Sequence, residues 1–175
     1  MPHSPIYLAL GANLGDRAEN LRSALTALRS QLILEAVSPC YETEPAYVLD
    51  QPRFYNLTCR AATALAPLDL LRFLKSLETT LGREPGLRFG PRLIDLDLLF
   101  YANLVLDTPE LTIPHPRLAE RAFVLVPLAD IAPDFVHPVL GLTIAVLCDR
   151  LGDVHSSIQR VEIFEPPRRE ERKGI

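Results

Sequence analysis

At 175 residues with 48% hydrophobic side chains, the chain has the length of one domain and enough apolar mass for a sizeable core. A net charge of −4 argues against a basic nucleic-acid binder, and no apolar run reaches transmembrane length. The three cysteines, Cys40, Cys59 and Cys148, have no metal-type spacing; an odd count with no signal peptide leads us to expect reduced thiols in a cytoplasm.

Ile6–Leu10 is a short apolar run ending at Gly11, the pattern of a buried strand. The GANLG segment that follows is either an anion-binding loop or a tight turn, and it lacks the Lys-Ser/Thr of a Walker loop. A helix comes next: Asp16 can cap it, Glu19 can complete a capping box, and Leu21, Ala24, Leu25 and Leu28 form its apolar stripe. Leu32–Tyr41 reads as a second strand interrupted near Pro39, and 42–52 as a proline-bearing loop. Phe54–Leu65 reads as a third strand with Asn56 inside it. Pro67 opens a second helix whose apolar side carries Leu70, Leu71, Leu74, Leu77 and Leu81, with Gly82 as its stop. Glu78 borders that apolar side, where an exposed helix edge is expected.

Residues 83–92 form a basic loop with Arg83, Arg88 and Arg92 among glycines and prolines. It leads into a strand bearing Asp95 and Asp97. Side chains two apart on a strand share a face, so both carboxylates point one way, and Ile94, Leu96, Leu98 and Phe100 are expected to point the other. Two residues of strand span roughly 6.6 Å. At an effective dielectric of about 20 the two charges repel by roughly 2.5 kcal/mol. A divalent cation with oxygen ligands would reverse that sign; a solvated face, or pairing with Arg92, is the plainer alternative. Three arginines beside two carboxylates suggest a polyphosphate with its metal. Asn103–Asp107 reads as the end of a hairpin. His115, between Pro114 and Pro116, is held on a stiff segment and is either structural or catalytic. Pro127–Ile131 reads as a short helix and Thr143–Leu151 as a last one, with Thr143 as N-cap and Gly152 as stop. We take 1–153 as one domain and 154–175 as a tail, either loose or adding an edge strand through Val161–Phe164. The element order βαββαβ, followed by C-terminal helices, is that of an α+β, ferredoxin-like sandwich.

Joint occurrence of GPR-x-x-D-x-D (Gly90–Asp97) and PH-x-R-x-x-x-R (Pro114–Arg121), with GANLG, DQPRFYN and PLADIAPDFVHP, resembles the 6-hydroxymethyl-7,8-dihydropterin pyrophosphokinase family of folate biosynthesis. The match runs from about Ile6 to Gly152. The resemblance implies transfer of pyrophosphate from MgATP to the pterin hydroxymethyl oxygen, leaving AMP. It implies that Asp95 and Asp97 hold two magnesium ions, and that Arg83, Arg92, His115 and Arg121 are catalytic, offsetting phosphate charge. Phe54 and Phe123 would sandwich the pterin, Asn56 would bond its edge, and Thr43 and Ala46 would complete that pocket. Glu78, Arg88, Phe89, Leu98 and His115 would line the ATP site. A monomer without nucleic-acid or membrane partners is expected. The sequence departs from the family pattern at Phe89, where Trp or Tyr is common, at Pro85, where a second loop arginine is common, and at Phe54 and Pro116, where Tyr is common. Two other functions are compatible with the same residues: a metal-dependent phosphohydrolase or nuclease, which needs further ligands, and a non-catalytic ferredoxin-like binding module.

Overall fold

The computed structural model describes residues 2–82, 93–154 and 157–164. In chain order the elements are β1 (Ser4–Ala12), α1 (Arg17–Leu28), β2 (Leu32–Val37), β3 (Cys40–Thr43), β4 (Phe54–Thr63), α2 (Pro67–Thr80) and β5 (Asp95–Tyr101). They are followed by β6 (Leu106–Asp107), β7 (Thr112–Ile113), a 3-10 turn at Leu118–Glu120, α3 (Ala122–Ile131), α4 (Ile144–Asp149) and β8 (Ile158–Val161). One antiparallel sheet runs β5-β1-β4-β3-β8, with β2 also paired to β4. Counting β2 and β3 as one interrupted strand, this is the expected βαββαβ arrangement with added C-terminal helices.

The interruption at Ser38–Pro39 is patched locally. Pro39 has no N–H to give a ladder. Ser38 compensates: its N–H donates to the Thr58 carbonyl at 2.9 Å and its buried Oγ accepts from the Thr58 N–H at 2.9 Å. Ser38→Ala would leave that buried N–H without its acceptor and should cost about 1–3 kcal/mol in urea denaturation.

Each face of the sheet has its own core. Ile6, Leu8, Leu10 and Ala12 of β1 face α1 and α2, packing with Leu21, Ala24, Leu25, Leu28, Leu70 and Leu74. All four residues of the expected α1 stripe are buried. Asp16 accepts from the Glu19 N–H at 3.1 Å as the cap, whereas the Glu19 carboxylate pairs with Arg22 at 3.1 Å. On the other face Tyr7, Leu99 and Phe100 pack with Leu118, Val124, Leu125, Leu128, Ile144 and Leu147.

Phe100 therefore corrects the expectation that it shares a face with Leu96 and Leu98. A bulge lies here: Leu8 pairs with Leu98 but Tyr7 with Phe100, so Leu99 is extra. Both Leu99 and Phe100 turn to the α3 side, where Phe100 joins Tyr7 and Phe135 at 6.1 and 4.7 Å between ring centroids. Three further boundaries differ from expectation. β6 pairs with β7 in a separate two-stranded sheet, so Asn103–Asp107 does not return along β5. α3 begins at Ala122, with Pro127 inside it rather than at its start. The added edge strand is Ile158–Val161, paired to β3, and Ile163 beyond it is buried. Thr143 caps α4 by accepting from the Val146 N–H at 3.2 Å, as expected.

Candidate active site

The face covered by α3 and α4 is only partly roofed, and β1 shows why. Its residues on this side are Tyr7, Ala9 and Gly11, which taper from an aromatic ring to no side chain at all. Tyr7 fills a core, whereas Ala9 and Gly11 leave a shallow floor. Register places the expected site residues around that floor. Asp95 and Asn56 flank Gly11 from β5 and β4, and Asp97 lies opposite Ala9. Strands are spaced about 4.8 Å apart, so Asp95 and Asn56 stand roughly 10 Å apart across the glycine.

Asp95 and Asp97 are half-buried on this side, while Ile94, Leu96 and Leu98 enter the opposite core. The alternation read from the sequence holds here, before the bulge. Leu98 is 5% exposed, so only its backbone is available to a ligand. Asn56 is buried and its Nδ2 donates to Thr43 Oγ1 at 2.7 Å. Its Oδ1 occupies the space above Gly11: a Cβ built there would sit 2.6 Å from that oxygen. Phe54 borders the same glycine, its Cδ1 lying 3.7 Å from that Cβ position. Gly11 is thus part of a strand, and Gly15, at φ +64°, makes the turn. Asn13 uses its side chain to tether the 44–53 loop, donating to Gln51 Oε1 at 3.0 Å and the Pro52 carbonyl at 2.9 Å. The GANLG segment thus closes β1 and turns into α1.

A cationic rim faces the carboxylates. Arg121, at the N-cap of α3, is 9% exposed. Its Nε donates to the Tyr47 hydroxyl at 3.2 Å, and its guanidinium lies 5.4 Å from the Tyr47 ring centroid and 5.5 Å from that of Phe123. His115 is pinned to β5 by its N–H, which donates to the Leu99 carbonyl at 3.0 Å. Its Nδ1 accepts from the Arg117 N–H at 3.2 Å, so the proton of the neutral ring sits on Nε2. Burial, reinforced by the Arg121 charge and opposed by Asp95, pushes the imidazole down to about 4. His115 is therefore a neutral donor at physiological pH. His115 thus lies within the fields of both Arg121 and Asp95.

Glu78 departs from the exposed edge expected for it. It is 2% exposed, in line with Leu74 and Leu70 one and two turns earlier on α2. Ala46 is exposed in the 44–53 loop. Arg83, Arg88, Phe89 and Arg92 lie outside the described residues. Among the described residues no three His, Cys, Asp or Glu side chains cluster to hold a metal ion. Two adjacent carboxylates fit magnesium in particular, which keeps several waters and is commonly bound through one or two carboxylates plus substrate phosphates.

The family described as 7,8-dihydro-6-hydroxymethylpterin-pyrophosphokinase (HPPK) matches residues 7–133. The chain belongs to this family. Among its curated relatives, the 2-amino-4-hydroxy-6-hydroxymethyldihydropteridine pyrophosphokinase of Pseudomonas aeruginosa is 47% identical over 135 residues, covering 76% of this chain and 83% of that protein. The folic acid synthesis protein FOL1 of Dictyostelium discoideum is 46% identical over 138 residues, 79% of this chain but 21% of that protein. The chain thus spans about a fifth of the length of that relative. A solved HPPK-DHPS in complex with substrates superposes with a TM-score of 0.77 at 16% identity, over 91% of this chain and 47% of the other. At that identity the likeness establishes the fold, and it is the ferredoxin-like α+β fold read from the element order.

Within this HPPK-family site, three features escaped sequence reading. The Gly11–Asn56 contact needs the β1–β4 register, which no local pattern gives. Tyr47 lies in the 44–53 loop, 74 residues from the Arg121 it meets, with no local pattern to mark it. Tyr41 donates to Asp130 on α3 at 2.5 Å, a bond between residues 89 apart in sequence. The available signal was the falling side-chain size at Tyr7, Ala9 and Gly11, which marks where a packed face opens.

Proposed function

We propose that this chain transfers the pyrophosphoryl group of ATP to the hydroxymethyl oxygen of 6-hydroxymethyl-7,8-dihydropterin, releasing AMP, in folate biosynthesis. The observation that carries this is the pairing of Asp95 and Asp97 on one open face, opposite a rim of His115 and Arg121, in a chain of the HPPK family. The hydroxymethyl oxygen attacks the β-phosphorus of ATP and the bond from that phosphorus to the α-phosphate oxygen breaks. Positioning and electrostatics dominate such a reaction, and no covalent partner is required.

Asp95 and Asp97 would hold two magnesium ions on the phosphates. When bound, magnesium supplies Lewis-acid polarisation of the phosphoryl oxygens. Arg121, with Arg83 and Arg92, offsets the remaining phosphate charge, and His115 donates from Nε2. Glu78, Arg88, Phe89 and the Leu98 backbone complete the ATP site. Asn56, oriented by Thr43, bonds the pterin edge, with Phe54 and Phe123 as flanking rings and Ala46 contributing backbone. Residues 1–153 would form the pyrophosphokinase domain and 154–175 a C-terminal tail whose strand β8 adds to the edge of its sheet. We further propose a cytoplasmic monomer acting without nucleic acid. The net charge of −4 supports the absence of a nucleic-acid partner, and the free Cys40, Cys59 and Cys148 are in keeping with reduced thiols.

Incubating the protein with MgATP and 6-hydroxymethyl-7,8-dihydropterin should give AMP and the pterin diphosphate by mass spectrometry. Orthophosphate with unchanged pterin would replace this reading with a phosphohydrolase. Gly11→Ala tests the pterin side separately. The new methyl displaces Asn56 Oδ1 without backbone strain. Pterin affinity should fall roughly tenfold, the equivalent of one buried hydrogen bond, while nucleotide affinity is kept. Calorimetric titrations with each ligand alone check both halves of that expectation.

A further inference from the structure

The 44–53 loop joins Thr43 at the end of β3 to Phe54 at the start of β4, so it spans the proposed pterin pocket. Its far end is tethered by Asn13, and Gln51 braces it internally by donating to the Val48 carbonyl at 2.7 Å. Its near end carries Tyr47, 41% exposed yet richly engaged. The Tyr47 hydroxyl accepts from Arg121 Nε at 3.2 Å and donates to Glu120 at 3.1 Å. Its ring stands 5.2 Å from the Arg117 guanidinium and 5.4 Å from that of Arg121.

This hydroxyl sits between an acid and a base adjacent in sequence. It satisfies Glu120 as a donor and Arg121 as an acceptor. Among the described residues Arg121 then has no carboxylate partner, and its charge stays available. With Nε committed, the Nη edge is left for an anion. We propose that Tyr47 is a positioning residue that couples the seating of the pterin loop to the orientation of Arg121 toward the phosphates. The proposal rests on the pyrophosphokinase reading of this site. Pterin contacts at Ala46, the neighbouring residue, would reach the phosphate-binding arginine through one hydroxyl.

The test uses Tyr47→Phe, which keeps the ring and removes the hydroxyl, alone and combined with Arg121→Ala. Tyr47→Phe should melt with the wild type and bind pterin alone unchanged, while kcat/KM falls roughly tenfold, the loss of one charge-assisted hydrogen bond. In the Arg121→Ala background the same change should cost nothing further. Pterin should tighten a non-hydrolysable ATP analogue on the wild type and fail to do so on Tyr47→Phe. Full activity in Tyr47→Phe, or losses that multiply in the double variant, would overturn the coupling while leaving the pyrophosphokinase reading intact. Absence of AMP and pterin diphosphate from the wild type would overturn both.

Discussion

Replacing Asp95 and Asp97 together by Asn should lower pyrophosphoryl transfer on the order of a thousandfold or more. The substitution keeps side-chain shape on a half-buried strand face and removes two negative charges. Neighbouring Leu96 and Leu98 sit in the opposite core, so packing is undisturbed. What is lost is the ability to bind a divalent cation against a triphosphate. Adding magnesium with a non-hydrolysable ATP analogue should raise the melting temperature of the wild type by mass action and leave that of the double variant unmoved. A double variant that retains kcat within tenfold would reject metal binding at this pair.

Arg121→Ala should cost about 3 kcal/mol of transition-state stabilisation, roughly a 150-fold fall in kcat/KM. Arg121 is 9% exposed and has its guanidinium 5.4 and 5.5 Å from the Tyr47 and Phe123 ring centroids. Part of any stability loss will come from that packing. Kinetics and melting must therefore be read together. Arg121→Lys separates them: the charge remains, but the Nε bond to Tyr47 and the planar fork are gone. It should recover most of the stability and little of the rate. A lysine variant with full kcat/KM would show that charge alone suffices there.

The sequence made the sheet and the carboxylate pair legible because both follow period-two alternation. Asp95, Leu96, Asp97 and Leu98 obey it. The alternation fails at Phe100, and nothing in LLF signals that Leu99 is an extra residue; the bulge is set by pairing with Tyr7 and Leu8 on another strand. Pro127 misled for a related reason. Proline is favoured in a first helical turn, yet here it lies inside α3, which begins at Ala122. Glu78 was misplaced because helix periodicity ranks it with Leu70 and Leu74 while its charge argues for solvent. Local rules place such a residue by polarity; tertiary packing buried it. The rim was legible as residue types, Arg121 and His115, and illegible as geometry, since Tyr47 reaches Arg121 across 74 residues.

The descending side chains of β1 act as a depth gauge for the cleft. Ala9 lies beside Asp97, and Gly11 lies between Asp95 and Asn56 with its Cβ direction ending on the Asn56 amide, on one continuous strand. A methyl at Gly11 would press on the Asn56 amide and the Phe54 ring, and volume added at Ala9 would fill the floor beside Asp97, with no charged group altered. Selectivity for bulkier or slimmer substrates can therefore be tuned by methyl groups on a single rigid element, independently of the machinery that carries out the transfer.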